Sequence, residues 1–591
     1  VVSGALLLAL ALASAPVGES VITGEAEDEQ RAPLAPSDAT PEEALEALPE
    51  VTLLRTGGPL APTRVDVRGL SGPRLGVSVA GLDLGGPSSG LVDVGLLPWT
   101  GLAAATVQPG AISGALGGRL AFEPLDASWP RATARLGAGS LRTLELGLAA
   151  GTPVGDGSVL VAIDAARTDG DFQFRPSTPT GELRAATTRV NNDQVRAAVM
   201  LGASTRLLGL DAEVVALLGG REGGIPGFAA APTDTLRGRR AVAGVRAAVA
   251  DVLRVGSATL RTDAHASARV QHRATRPAAR RSWQAVDASS LSAGVRARAT
   301  DLPLGGALEA SADLERLAVV DQPFRRTGAH GLLRASVAPW SWWRTEVSLT
   351  GAWLTDVGPL WGGALSTSVG RPWLRVGASL SRATRAPTLD ELYAPLGLVV
   401  GNPDLRPEAA NELEAFMTSR PNKLISARIA VFGGRLDDAI LLVNRNAFEI
   451  AATNTGGLWR GGAEGELHLT PHRLVGLRAG GRWLLSRLDL TGAPLPVTPP
   501  LAGMTSLRVG AERGPHATLQ TRFRSSSTGS LYGTVPVPGY VLTDLVGRWP
   551  IARHFLLVAT LSNLFDTLSA RDLNGLPLPG RQLFAAVEAT L

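Results

Sequence analysis

Leu260–Gln271 reads LRTDAHASARVQ, and its chemistry switches at nearly every residue. In an extended chain successive side chains point to opposite faces. Leu260, Thr262, Ala264, Ala266, Ala268 and Val270 therefore share one face, and Arg261, Asp263, His265, Ser267, Arg269 and Gln271 share the other. Ala307–Glu315 repeats the pattern, with Leu308, Ala310, Ala312 and Leu314 opposing Glu309, Ser311, Asp313 and Glu315. Leu210–Leu218, Thr345–Trp353 and the final Leu583–Leu591 read the same way. A soluble sandwich also alternates, but it does not set charges so regularly on one face from residue 127 to residue 591. The pattern fits a closed membrane barrel, in which the polar face lines a wet lumen and the apolar face meets lipid. Only closure leaves no unpaired strand edge in lipid. About 22 strands of ~10 residues would use ~220 residues of this region and leave connections averaging ~11.

The bulk composition agrees. Of 591 residues, 45% are hydrophobic and 19% charged, and the mean hydropathy is +0.13, too low for a bundle of membrane helices. Abundant Gly and Pro suit many strands joined by turns. The formal net charge is +4, and Lys423 is the sole lysine. No dense basic cluster is present, which argues against nucleic-acid binding. The absence of cysteine excludes disulfides, thiolate metal sites and cysteine nucleophiles.

The N-terminal part is organised differently. Gly4–Ala13 (GALLLALALA) is an apolar run of signal-peptide length, and Ala13-Ser14-Ala15 is a small-x-small cleavage site, so residues 1–15 are expected to be a signal peptide. Residues 16–39 are acidic and Pro-containing and are expected to be a linker. Residues 40–126 read as a small α+β unit. Thr40 to Leu48 has helix-start features: Thr40 to cap, Pro41 in the first turn, and Glu42 and Glu43 at the positive end of the dipole. Short strands are expected at Thr63–Arg68, Leu75–Val79 and Ala104–Val107, with none before the helix. The barrel takes residues 127–591.

Ser381–Glu414 carries more than periodicity. It reads SRATRAPTLDELYAPLGLVVGNPDLRPEAANELE, with Arg385–Thr388 (RAPT), Glu391–Tyr393 (ELY) and Gly401–Glu408 (GNPDLRPE) in that order. This resembles the late-barrel signature of TonB-dependent outer-membrane receptors. Tyr540–Asp544 (YVLTD), Asn563–Asp566 (NLFD) and the Gly580-Arg581 pair are similar to that family's C-terminal phrases. The resemblance implies an antiparallel transmembrane β-barrel in the bacterial outer membrane, with residues 40–126 as a plug in its lumen. The plug is similar to the family's in Val65–Gly69 (VDVRG) but reduced, with Gln108 where a second arginine is usual.

The resemblance also implies function. Glu19, Ser20, Val21, Ile22, Thr23 and Gly24 resemble a TonB box, which pairs as an added strand with TonB and its inner-membrane energising complex. Arg68 matches a plug arginine and Glu414 a barrel glutamate that would hold each other. The expected partners are TonB, outer-membrane lipid and lipopolysaccharide, and a small-molecule or metal-chelate ligand such as an iron–siderophore or cobalamin. The other reading is a passive pore or a surface ligand-binding barrel with a degenerate plug. No catalytic constellation, cofactor site or metal site is expected. His468 and His472 are four residues apart with Pro471 between them, a spacing that reads as a turn.

Overall fold

The computed structural model describes residues 30–34, 41–55, 57–111, 114–128, 130–176, 182–228, 231–277, 283–320, 322–393, 399–446, 449–512 and 514–591. Among these, 22 antiparallel strands from Arg131–Gly139 to Gln582–Thr590 form one sheet that closes on itself. The last strand pairs with the first, with Ala585 opposite Ala138 and Val587 opposite Leu136. Closure gives every edge group a partner, as lipid requires.

The alternation in sequence becomes an inside and an outside. In the strand Ala258–Pro277, Thr262, Ala264, Ala266 and Val270 are exposed on the outer wall, while Arg269 and Gln271 are buried in the lumen. Leu291, Leu314, Leu333, Leu349, Leu380 and Leu413, on six strands of this wall, are all more than half exposed. A belt of bare leucine is what a lipid-facing surface requires and what water would penalise. Trp340, Trp342 and Trp343 stack at the turn joining Arg325–Trp340 to Trp343–Leu354. Trp353 and Trp361 are exposed about ten residues further along, or ~25 Å once strand rise and tilt are allowed for. The tryptophans thus mark both edges of the belt.

Turns at the Trp340–Trp343 end are short, as at Val255–Ala258, Arg371–Leu374 and Asn422–Ile425. Connections at the other end are long and carry small sheets, such as the hairpin of Ile440–Asn446 with Glu449–Asn454. Short turns mark the periplasmic end of barrels of this type.

The described residues between 30 and 128 fill the lumen as the plug. In chain order its elements are β1 (Gln30–Pro33), α1 (Pro41–Glu46), β2 (Val51–Arg55), β3 (Thr63–Val67), β4 (Leu70–Ser71), β5 (Gly76–Val79), β6 (Leu82–Asp83), β7 (Leu102–Pro109) and β8 (Gly118–Pro124). They make a three-stranded sheet, β2-β3-β4, and a five-stranded sheet in the order β1-β7-β8-β5-β6. Val77, Val79, Val107, Leu120 and Phe122 point from the larger sheet into a core that Trp99 closes, edge-on to Phe122 at 5.5 Å. The opposite face carries Ser78, Thr106, Gln108, Arg119 and Glu123 and is partly exposed.

β1 corrects one expectation. A strand does precede the helix, and it lies inside the segment read as linker. Gln30–Pro33 pairs with Ala104–Val107, and the Leu34 amide donates to the Ala103 carbonyl at 2.8 Å. The physical reason is the other edge of β7, whose backbone groups need partners inside the barrel. Four residues of almost any composition can supply them, so no hydrophobic pattern announces the strand.

Candidate functional site

Among the described residues Arg68 is the largest fully buried side chain. It sits at the β3–β4 turn with a left-handed φ of 51°, followed by Gly69 at 84°. The Asp66 carboxylate accepts the Gly69 amide at 3.0 Å and fixes the turn. A bulky residue in this region costs about 1 kcal/mol or more and persists where its surroundings over-determine it. Here they do. Nη1 donates to Glu412 at 3.0 Å and Glu414 at 2.6 Å, while Nε and Nη2 donate to Glu464 at 3.1 and 2.5 Å. The Phe432 ring lies 4.2 Å from the guanidinium carbon. Burial opposes the charge of Arg68, but Glu464 and Glu414 outweigh it and hold its pKa well above the usual value.

Every glutamate of this clamp has a second, barrel-borne arginine. Arg460 pairs with Glu412, and Arg428 with Glu414 at 3.1 Å and Glu464 at 3.4 Å. Arg482 lies 3.5 Å from Asp66 and donates to the Glu50 carbonyl at 3.0 Å. Four guanidiniums thus face Glu412, Glu414, Glu464 and Asp66. Glu50 is a fifth acid, fully buried, and neither of its carboxyl oxygens has a hydrogen-bond partner. Burial, then repulsion from Glu464, pushes its pKa up to about 8. The cluster balances only when Glu50 holds its proton.

A second plug arginine, away from position 108, meets the barrel nearby. Arg74 closes a short turn, Gly72–Arg74, and donates to Glu408 through Nη2 at 2.6 Å and to the Ile440 carbonyl at 2.7 Å. Glu408 also accepts from Arg385 at 2.7 Å and from the Ile440 amide at 2.6 Å, and Arg385 reaches on to Glu391 at 2.9 Å. Arg385, Glu391 and Glu408, one from each of the RAPT, ELY and GNPDLRPE phrases, therefore form one connected set, with Arg385 bridging the two glutamates. That set joins the plug to the short helix Leu389–Tyr393 and the hairpin at Ile440, both at the long-loop end.

Other walls hold the plug differently. Ala149, Leu160, Ala162, Met200, Val215 and Leu217 extend the plug's apolar core into the barrel. Beside them Thr100 donates to Asp164 at 2.5 Å, and Arg221 pairs with Asp93 at 2.9 Å. At the apex, Asp572 of a long loop accepts the Gly57 amide at 3.0 Å, and burial pushes its pKa up to about 6.

Of the residues singled out in sequence, Arg68 and Glu414 stand 2.6 Å apart. Glu19, Ser20, Val21, Ile22, Thr23 and Gly24 lie outside the described residues. Glu412, Glu464, Arg74 and Glu408 were missed as partners. Glu412 shares strand parity with Glu414, a signal that was available. His468 lies on a strand and pairs with Glu466 at 3.4 Å, and that strand runs to His472 before it turns. Among the described residues no group of three or more His, Cys, Asp or Glu is placed to hold a metal ion.

A closed 22-stranded barrel with a folded domain pinned in its lumen by buried charge pairs defines a plugged β-barrel of the membrane-spanning type. Residues 281–564 match the family model described as TonB dependent receptor-like, beta-barrel. No curated protein matches the sequence. Among solved structures, the ferric enterobactin receptor of Pseudomonas aeruginosa in complex with enterobactin superposes with a TM-score of 0.78 at 14% identity, covering 96% of this chain and 100% of that one. The siderophore receptor PirA from Acinetobacter baumannii gives 0.74 at 12%, covering 95% and 98%. The copper transporter OprC gives 0.73 at 18%, covering 93% and 95%. Residues 281–564 are thus similar to a TonB-dependent receptor-like barrel, and the described chain shares the fold of these plugged barrels.

Proposed function

We propose that this protein is an outer-membrane receptor that imports a scarce solute by energy-coupled displacement of its plug. The observation that carries this reading is the position of Glu408. It touches segments at the long-loop end and Arg74 of the plug, and it shares a strand with Glu412 and Glu414, which hold Arg68. A solute that moves the outer segments acts on charges that seat the plug. Glu19–Gly24 then serves as the TonB box, and TonB, driven by its inner-membrane complex, pulls the plug away from Glu414 and its neighbours. The signal peptide and the belt of bare leucine suit export to a membrane rich in lipopolysaccharide.

The cargo class proposed is a metal chelate, an iron–siderophore first, with cobalamin as the next candidate. The three structural neighbours are a ferric enterobactin receptor, a siderophore receptor and a copper transporter. Transport, with no catalytic step, is the role assigned. A passive pore or surface ligand-binding barrel is the second reading, favoured by the partly exposed polar face of the plug's larger sheet.

One experiment tests the two. With no native cysteine, Val21→Cys provides a single thiol. Ligand-enhanced disulfide formation with a cysteine-bearing periplasmic domain of TonB supports coupled import. No cross-link with any candidate ligand, in a barrel shown to be folded, leaves the passive reading.

A further inference from the structure

The plug is not held evenly around its circumference. Toward the strands Glu408–Asn422 and Leu458–His472 the interface is dry, with the side chains of Glu408 and Glu464 fully buried and Glu412 2% exposed. Toward Ala258–Pro277, Gln284–Leu302, Gly306–Val319 and Arg325–Trp340 it is wet. There the lumen-facing side chain of Arg296 is 42% exposed and that of Asp313 33%. Arg119 projects from the polar face of β8 toward Arg296, Arg334 and Asp313, and it is exposed although it lies inside the barrel. Two polar faces, one from the plug sheet and one from the wall, stand opposite each other with room for water.

The gap ends upward where Arg269 meets the plug, below the contacts of Arg240 with the Leu91 carbonyl and of Arg273 with Ser88. Arg269 is 7% exposed. It pairs with Asp83 of the plug at 2.7 Å, donates to the Asp83 carbonyl at 2.9 Å and to Ser290 at 2.9 Å, and pairs with Glu315 at 3.0 Å. Immediately above, Gln271 is 1% exposed, and neither its amide nitrogen nor its oxygen has a hydrogen-bond partner in the protein. With Arg240 and Arg269 it lines a small cavity beneath the apical segment Leu84–Val92. A buried amide with nothing to bond calls for water. Space lined by polar groups therefore lies on both sides of the Asp83–Arg269 contact.

We propose that the seated plug leaves a water-filled vestibule, open at the short-turn end and reaching Arg119, and that Asp83, Arg269 and Glu315 form its gate. Breaking that gate admits small inorganic ions through the protein while Arg68 and Arg74 stay clamped to the opposite wall. The route is a built-in ion path, separate from removal of the plug, and needs neither TonB nor a cargo.

The test uses Arg119→Cys in the full-length protein, reconstituted in planar bilayers, with a charged methanethiosulfonate reagent added to one chamber at a time. Val107→Cys, on the buried face of β7, is the unreactive control. The expected result is reaction of Arg119→Cys from the short-turn side and loss of reaction from the long-loop side. Adding Arg269→Ala should make the thiol reactive from both sides and raise the conductance to potassium chloride. Asp83→Ala, a change in an exposed plug residue, should do the same where Arg269→Ala folds poorly. An unreactive thiol at the short-turn side in a folded barrel overturns the vestibule. Reaction from both sides with the gate intact, or unchanged sidedness in Asp83→Ala, overturns the gate.

Discussion

Replacing Glu50 by glutamine should make plug seating insensitive to alkaline pH. Glu50 ionises near 4.5 when free and near 8 in the seated plug, because burial and the Glu464 charge disfavour its carboxylate. The sign follows from proton linkage. Between these two values the seated plug holds a proton that the displaced plug releases, so seating is favoured at low pH and weakens as pH rises. The loss runs at about 1.4 kcal/mol per pH unit, or roughly 3 kcal/mol by pH 7 and roughly 5 kcal/mol above pH 8. The Glu50→Gln side chain would carry the shape of the protonated acid without its titration. The assay is amide hydrogen exchange of residues 41–128, corrected for intrinsic pH effects, in both proteins from pH 5 to pH 9. Near pH 5 the two should agree within about 1 kcal/mol, and at pH 9 the variant should be better protected by several kcal/mol. Equal protection at pH 9, or a variant that is less protected throughout, would show that the buried carboxyl has found a cation and that the charge count is wrong.

Arg68→Ala should loosen the plug by about 3 kcal/mol, seen as faster proteolysis of the plug and entry of large antibiotics; unchanged resistance and exclusion would refute the clamp. The cost stays at the lower end for a buried pair because Arg428 and Arg460 remain on the glutamates. Glu408→Gln should weaken two links at once, so that proteolysis accelerates at both the Ile440 hairpin and the plug; resistance unchanged at either would refute the link. Gly118→Ala should unseat β8: φ is +104°, and a Cβ there would lie 2.2 Å from the Gln108 carbonyl oxygen, so a folded plug with normal protection in this variant would contradict the backbone described.

The barrel was legible because its signal is repeated. Most strands show apolar residues to lipid and polar or charged ones to the lumen, and Leu260–Gln271 alone displays the rule. The plug was half legible. Val65–Gly69 pointed to Arg68, and through family resemblance to Glu414, but strand alternation says only that Glu412 and Glu464 face inward. Which plug atom they meet depends on contacts more than 340 residues apart in sequence. Arg74 lies in a turn of three residues, Gly72–Arg74, too short to have a period. β1 was hidden because backbone pairing, rather than side-chain burial, selects it.

The clamp is built to be left. An arginine removed from a buried set of carboxylates normally strands their charge, at a cost of several kcal/mol. Here Glu412 keeps Arg460, and Glu414 and Glu464 keep Arg428, so the wall remains paired when Arg68 departs. Arg68 itself moves into water, where it is well solvated. A hydrophobic replacement for the whole cluster would hold the plug as firmly at rest. It would then expose bare apolar wall to the lumen each time the plug moved. Charge pairs with spare partners keep the seated geometry specific and the vacated wall soluble. On this argument, replacing Arg428 with methionine should impair plug return more than resting stability. After a pulse of force on the N-terminal tail, such a variant should reseat more slowly than Arg68→Ala. Equal reseating rates would mean that the second arginines only pack.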